Sequence, residues 1–265
     1  MNILVCAKQV PDTTEIRIDP VRHTLIRDGV PSILNPFDSY ALEMALRLKD
    51  SCGARVIVVS MGPPQAKNML MECLSVGADK AYLCSDRLFG GSDTLATSYI
   101  ISNAVRTIER TEGSFDLILC GKQAIDGDTA QVGPEIAEHL GYPQVTYAVE
   151  LRADDTSVTV KREAENGYEI IRVQMPCLIT ATKPSFELRF PTIKGKLSAR
   201  RAEIPVLTSS EIILDPERAG LKGSPTKVKS TFTPPVKEGG IRIHEETDEQ
   251  SAHTAVRLLS EAHII

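Results

Sequence analysis

Residues 116–143 read DLILC-GKQAIDGDTAQ-VGPEIAEHL-GYP, and this stretch decides the fold. Asp116–Cys120 is a short, continuous apolar run, the pattern of a strand buried on both faces. Val132–Leu140 has helical spacing. It is closed by Gly141-Tyr142-Pro143, a glycine where the chain turns back and a proline that cannot continue a helix. Between strand and helix lies a loop containing Gly121 and Gly127, and Gly133 follows in the first turn of the helix. Strand, loop and helix in that order form a crossover unit, and crossover units build parallel sheets.

The same alternation runs through the first 145 residues. Ile3–Ala7, Arg55–Ser60 and Lys80–Cys84 read as further buried strands. Asn35-Pro36 opens a helix, with Asn as the cap and Pro at the first helical position. Phe37, Ala41, Met44, Ala45 and Leu48 then form one stripe. Pro63 starts a helix with Ala66, Met69, Leu70 and Cys73 on one face, ending near Gly77. Ser92-Asp93-Thr94 caps another, carrying Thr97, Ile101, Ala104, Val105 and Ile108. Ile16–Ile18 and Leu25–Ile26 flank Asp19-Pro20 and suggest a small surface hairpin. The expected fold is α/β: a doubly wound, mostly parallel sheet covered on both faces.

After residue 145 the pattern changes. Val158–Arg162 and Tyr168–Val173 alternate around Asn166-Gly167, a hairpin signal, and Cys177–Thr180 is another short strand. From Lys183 to Lys237 no long periodic segment is expected, and prolines recur at 184, 191, 205, 216, 225, 234 and 235. So long an irregular stretch lies on another surface or lacks order. Residues 247–262 return to helix, with Thr247 and Gln250 as a capping box. The stripe of Ala252, Ala255, Val256 and Leu259 needs cover from its own domain or from a second chain. The expected division is an α/β domain over 1–182, a distinct segment over 183–204, and a C-terminal arm ending in a helix over 205–265.

Composition narrows the function. The chain has 265 residues, 42 % hydrophobic and 25 % charged, with a net charge of −5. No apolar run approaches the roughly 18 residues that span a bilayer. The negative balance and the absence of Trp argue against a general nucleic-acid binder. The six cysteines are dispersed without a CxxC, so zinc and iron–sulfur ligation lack their spacing. Cys6, Cys120 and Cys177 fall in apolar runs and read as buried, reduced thiols. Strand-like sequence begins at Asn2, so no leader is expected, and the expected compartment is the cytoplasm.

In an open α/β sheet, ligands sit beyond the carboxyl ends of the strands where the strand order reverses. Four segments have that placement: Cys6–Val10, Asn35–Asp38, Ser60-Met61-Gly62-Pro63 and Gly121–Gly133. The last is the most informative. Glycines permit close backbone approach, the following helix start suits a phosphate, and Thr129 and Gln131 add neutral donors. Asp126 and Asp128 read as an N-cap or as a ribose acceptor. The loop is thus a nucleotide cradle or a structural turn. There is no GxGxxG after the first strand and no Walker A lysine–serine pair. The five histidines (23, 139, 244, 253 and 263) read as solvated surface groups. A chain able to hold a nucleotide yet poor in acid–base groups fits a cofactor that supplies its own chemistry.

Together these residues resemble the small (beta) subunit of electron transfer flavoproteins. The likeness rests on Leu4–Asp12 (LVCAKQVPD), Asn35–Asp38 (NPFD), Val58–Pro63 (VVSMGP), Gly77-Ala78-Asp79, Gly121–Asp128 (GKQAIDGD) and Gln131-Val132-Gly133. It implies a sheet of the adenine-nucleotide-binding type and a heterodimer with an alpha subunit carrying a redox FAD. The second nucleotide is AMP in simpler members and a second FAD in electron-bifurcating ones. By position, the cofactor contacts implied are Cys6, Asn35, Pro36, Phe37, Asp38, Met61, Gly121, Lys122, Gln123, Ala124, Ile125, Asp126, Gly127, Asp128, Thr129, Ala130, Gln131 and Val132. Phe37 lies against a flavin or begins its helix's core. Thr13, where simpler members have a bulky Tyr, leaves more room beside the nucleotide.

Gly90–Thr97 resembles the segment by which bifurcating members hold the second FAD, through Asp93, Thr94 and Thr97, and FAD is favoured over AMP. In such a protein NADH reduces the flavin, only in complex with the alpha subunit. One electron passes to the alpha-subunit flavin and an acyl-CoA dehydrogenase, the other to ferredoxin or flavodoxin. The alternative is a non-bifurcating beta subunit with structural AMP. Lys183–Arg201 holds six basic residues against one acid, Glu187. It is a solvated face or, by resemblance, the segment that docks partner dehydrogenases through Phe186, Leu188, Arg189, Phe190, Pro191, Ile193, Lys194 and Lys196.

Overall fold

The computed structural model describes residues 1–12, 31–229 and 239–265. They fall into two compact units, the first running up to Lys229 and the second in the C-terminal stretch. The hairpin expected around Asp19-Pro20, and Thr13, lie outside the described residues.

In the first unit the elements run β1 (Asn2–Cys6), β2 (Gln9–Pro11), β3 (Ser32–Leu34), α1 (Pro36–Cys52), β4 (Arg55–Met61), α2 (Lys67–Val76), β5 (Lys80–Cys84), α3 (Thr94–Glu112), β6 (Leu117–Gly121), α4 (Val132–Leu140), β7 (Gln144–Ala153), β8 (Ser157–Ala164), β9 (Gly167–Gln174), β10 (Cys177–Ala181), α5 (Ile193–Arg201) and β11 (Val206–Leu207). The main sheet has nine strands in the order β11-β5-β4-β1-β6-β10-β7-β8-β9. Every pair is parallel except β7–β8 and β8–β9, the antiparallel meander signalled by Asn166-Gly167. This is the expected doubly wound, mostly parallel α/β sheet.

The strands are apolar on both sides because helices cover both. Ile3 and Val5 of β1 meet Ala41, Met44, Met69 and Leu70 of α1 and α2 on one face. Leu4 on the other meets Ile100, Ala104 and Val105 of α3 and Ile136 of α4. Each such fully buried aliphatic side chain contributes about 1.5–3 kcal/mol over an exposed one. Cys6, Cys120 and Cys177 are buried as expected, and only Cys52 of the six is exposed. Burial pushes the thiols of Cys84 and Cys177 up to about 12.

Three expectations need correction. The stretch from Lys183 is not irregular throughout. It holds α5, capped by Thr192, whose hydroxyl accepts the Gly195 N–H at 2.9 Å. It also holds β11, which adds to the edge of the sheet beside β5. Residues 205–229 therefore belong to the first unit, with Ile212 and Ala219 in its core. Second, Asn35 stands at the N-cap of α1 but its side chain makes no capping bond. Third, His139 is half-buried, edge-on to Tyr99 with ring centroids 5.9 Å apart. Desolvation, with Arg218 and Arg106 nearby, lowers its pKa.

In the second unit, α6 (Asp248–Glu261) starts with the expected capping box, Thr247 with Gln250. None of its residues is buried.

Candidate functional site

The chain lays β1 at the centre of the sheet, adds β4 and β5 on one side, then returns to place β6 on the other. The reversal lies between β1 and β6, which run parallel in register with Cys6 opposite Cys120. Beyond their carboxyl ends a crevice is expected. The short β2–β3 pair folds the chain back so that the Asn35 N–H donates to the Lys8 carbonyl at 2.9 Å. This brings the start of α1 over the ends of both central strands.

Asp38 sits at that junction. Its carboxylate accepts the Lys8 N–H at 2.7 Å and the Gly121 N–H at 3.0 Å, tying β1 to β6. Burial lifts its pKa to about 7 despite those bonds. Gly121 has no alternative at its position. A Cβ there would lie 2.3 Å from an Asp38 oxygen and 2.7 Å from the α1 backbone.

The loop that follows is held from below by Asn35, freed from capping. The Asn35 Nδ2 donates to the Gln123 carbonyl at 2.8 Å, and its Oδ1 accepts the Ile125 N–H at 3.2 Å. The Lys8 ammonium pairs with Asp126 at 2.6 Å. Gln123 donates to Asp128, and the Lys122 N–H donates to the Ala181 carbonyl at 2.7 Å. The loop glycines act differently from the expectation. Gly121 faces Asp38, and Gly133 faces Thr180, whose methyl would be 2.7 Å from a Cβ. Both serve close packing within the chain, and only Gly127 looks into open space. The left-handed positions are instead Asp128 (φ 53°) and Ala130 (φ 54°), costly for L-residues and typical of ligand-holding segments. Neither Asp126 nor Asp128 caps α4. Gln131 occupies the N-cap without a side-chain bond. The first turn of α4 thus keeps its amide donors uncapped, beside an exposed loop of residues 126–129.

A second helix start joins this rim. The Thr94 hydroxyl lies 3.1 Å from Gln131 Oε1 and 3.2 Å from Glu135 Oε1, so α3 begins against the end of the loop. Thr97 is half-buried one turn on. Asp93 caps α3, accepting the Ala96 N–H at 3.1 Å. Phe37 is half-buried outside the two core clusters, its ring 6.1 Å from that of Tyr40. Met61 ends β4 half-buried, and Cys6 ends β1. Pro36 begins α1. Sequence reading missed Glu135 and Tyr147 as parts of this rim, and placed Lys8 there only within the segment Cys6–Val10. Tyr147 has φ 60° and takes the Lys122 ammonium 5.1 Å from its ring centre.

The segment expected to dock partners divides in two. Phe186 turns inward under the Arg47 guanidinium, 4.3 Å from its ring centre. Arg189 is held by Glu43 at 2.9 Å and Asp50 at 2.7 Å. Leu188, Phe190 and Ile193 face outward, Phe190 at 90 % and Ile193 at 82 % exposure, with Lys194 and Lys196 also exposed. Pro191 is half-buried between them. Among the described residues no cluster of His, Cys, Asp or Glu fits a metal ion, and no helix is long and apolar enough to cross a membrane.

Uncapped amides, an exposed loop and neutral side chains are a donor set for a nucleotide. The model of the electron transfer flavoprotein domain matches residues 23–212. The chain belongs to the electron transfer flavoprotein family. It is 54 % identical over 255 residues to the electron transfer flavoprotein subunit beta of Megasphaera elsdenii, covering 95 % of this chain and 94 % of that one. It is 50 % identical over 266 residues to subunit CarD of the caffeyl-CoA reductase-Etf complex of Acetobacterium woodii, with all of both chains covered. Protein FixA of Azorhizobium caulinodans is 47 % identical over 238 residues, 88 % of this chain and 85 % of that protein. As an electron transfer flavoprotein the chain acts in electron transport and is associated with a flavin or nucleotide.

Proposed function

We propose that this chain is the beta subunit of a heterodimeric electron transfer flavoprotein of the bifurcating type, holding FAD at the β1–β6 rim. The observation that carries the choice of FAD over AMP is the contact of Thr94 with Gln131. It sets two helix starts, α3 and α4, side by side along one rim, a donor array longer than a mononucleotide needs. The relative named as part of a reductase–Etf complex supports the same reading.

FAD, when bound, supplies hydride acceptance from NADH and release of single electrons. This chain's residues position it. The later part of the loop, 129–131, and the uncapped start of α4 face the phosphates, while the Ile125, Gly127 and Asp128 amides hold the loop itself together. Thr94 and Thr97 offer hydroxyls, and Phe37 offers a half-buried ring. Asn35, Asp38 and Lys8 hold the loop in place. No protein nucleophile is required.

Phe190 and Ile193, flanked by Lys194 and Lys196, form the face for an acyl-CoA dehydrogenase: apolar anchors give affinity and charge steers encounter. Ferredoxin or flavodoxin is the low-potential acceptor, and the C-terminal arm with α6 packs on the alpha subunit. The test is to denature the purified complex with its alpha subunit and count released cofactor. Two FAD per heterodimer are expected; one FAD and one AMP would replace this reading with a non-bifurcating beta subunit.

A further inference from the structure

The chain from Thr208 to Thr226 lies against residues 86–99 although more than 100 positions separate them. Ser209 donates its N–H (2.9 Å) and hydroxyl (2.7 Å) to the Asp86 carboxylate. The Asp215 N–H donates to the Tyr99 hydroxyl at 2.9 Å, and the Arg218 guanidinium covers the Tyr99 ring at 4.0 Å. Farther on the backbones touch. A Cβ on Gly220 (φ 59°) would lie 2.0 Å from the Leu88 carbonyl, and one on Gly91 (φ 73°) would lie 2.6 Å from the Leu221 side chain.

The last staple is at the start of α3. Ser224, 4 % exposed, accepts the Asp93 N–H at 2.9 Å and donates to the Gly220 carbonyl at 2.7 Å. The Asp93 carboxylate is occupied on both sides: one oxygen takes the Ala96 N–H at 3.1 Å, the other the Thr226 N–H at 3.0 Å. Burial would raise its pKa, but the Thr226 and Ala96 N–H bonds outweigh that and keep it below the usual range. An ionised carboxylate has no proton to donate and repels a ligand's phosphates, and each of its oxygens already accepts an N–H from this chain. Its engagement is with the chain.

We infer that residues 208–226 are a strap that sets where α3 begins, with Ser224 as a positioning residue and Asp93 as its latch rather than a flavin contact. The strap thereby places Thr94 and Thr97. Without the Ser224 hydroxyl the half-buried Asp93 N–H loses its partner, and the helix start shifts to satisfy it. The inference rests on the proposal that FAD lies against these threonines.

The test compares Ser224→Ala, Asp93→Asn and Leu221→Ala in the complex with the alpha subunit. FAD affinity, the midpoint potential of the flavin on this chain and protease cleavage between 208 and 226 are measured. Asp93→Asn keeps the cap oxygen but presents an amide to the Thr226 N–H. Ser224→Ala and Asp93→Asn are each expected to weaken FAD binding about tenfold, the size of one lost hydrogen bond. Both should shift the potential in the same sense, expose the strap to protease and leave the alpha-subunit flavin in place. Leu221 is 67 % exposed, so its truncation does not threaten folding, and about a threefold weakening is expected. Loss of FAD in Asp93→Asn alone would make Asp93 a direct contact and overturn the inference. So would unchanged FAD affinity in all three variants with the strap loosened. A wild-type complex releasing AMP in place of the second FAD would instead defeat the proposal on which the inference rests.

Discussion

Two carboxylates, one at each end of the sheet, are treated in opposite ways. At the amino ends, Glu112 of α3 takes hydrogen bonds from Arg55, Lys80 (2.6 Å) and Tyr82. Burial alone would raise its pKa, but those partners win and hold it at about 2. At the carboxyl ends, Asp38 receives the Lys8 and Gly121 N–H groups and the neutral Asn35 amide, and burial outweighs them, lifting its pKa to about 7. The nearest ammonium, on Lys8, is committed to Asp126. One end is closed by side-chain charge and serves folding. The other is built from main-chain amides and a buried acid, with the Lys8 ammonium taken up by Asp126 and the Lys122 ammonium lying over the Tyr147 ring.

The harshest way to break this contrast is Gly121→Ala, which drives a methyl into Asp38 and the α1 backbone. A loss of more than about 3 kcal/mol in urea unfolding is expected, together with loss of bound nucleotide. Next is Asp38→Asn, followed against pH. In the unfolded chain Asp38 ionises near 3.8, whereas in the folded chain it keeps its proton to about 7. Its contribution is therefore full below 3.8 and is lost as pH rises through 7. From pH 5 to 8 wild-type stability should fall by about 2–3 kcal/mol relative to the asparagine variant, which lacks this titration. A constant difference across that range would refute the buried acid.

Glu112→Gln probes the other end, with the opposite sign. Glu112 is held at about 2 when folded against 4.5 ordinarily, so its stabilisation is present above 4.5 and disappears as pH falls toward 2. Arg55 and Lys80 are more than a third exposed, which screens the interaction. A loss of about 1–2 kcal/mol at pH 7, vanishing in acid, is expected from denaturant titrations. Smallest in stability is Phe190→Ala. At 90 % exposure the ring is expected to leave the unfolding midpoint within about 0.5 kcal/mol. Reduction of a partner dehydrogenase should nonetheless slow, with flavin content unchanged.

The sheet was legible because its strands are uninterrupted apolar runs and its helix ends carry glycines and caps. Val132–Leu140 and Lys80–Cys84 coincide with the structure in both bounds. The terminal capping box is also as read. What escaped was determined at long range. Nothing near Asn35 says that its amide will hold residues 123 and 125 rather than cap its own helix. Gly121 and Gly133 read as room for a ligand, whereas the space is taken by Asp38 and Thr180 from distant elements. Nor does local sequence pair Ser224 with Asp93, 131 positions away. The helix α5 was hidden because Gly195 breaks its pattern. That glycine is there because α2 comes so near that a Cβ would stand 2.2 Å from the Ser75 carbonyl.

That contact has a further consequence. Gly195 presses α5 onto α2, and Glu43 and Asp50 of α1 grip Arg189 just ahead of it. Phe190 and Ile193 are therefore mounted on a stiff chassis instead of swinging on a tether. A patch anchored on both sides sacrifices less chain freedom when something lands on it. Under the docking role proposed above, swapping those two side chains would retune the choice of visitor while leaving the proposed nucleotide rim untouched.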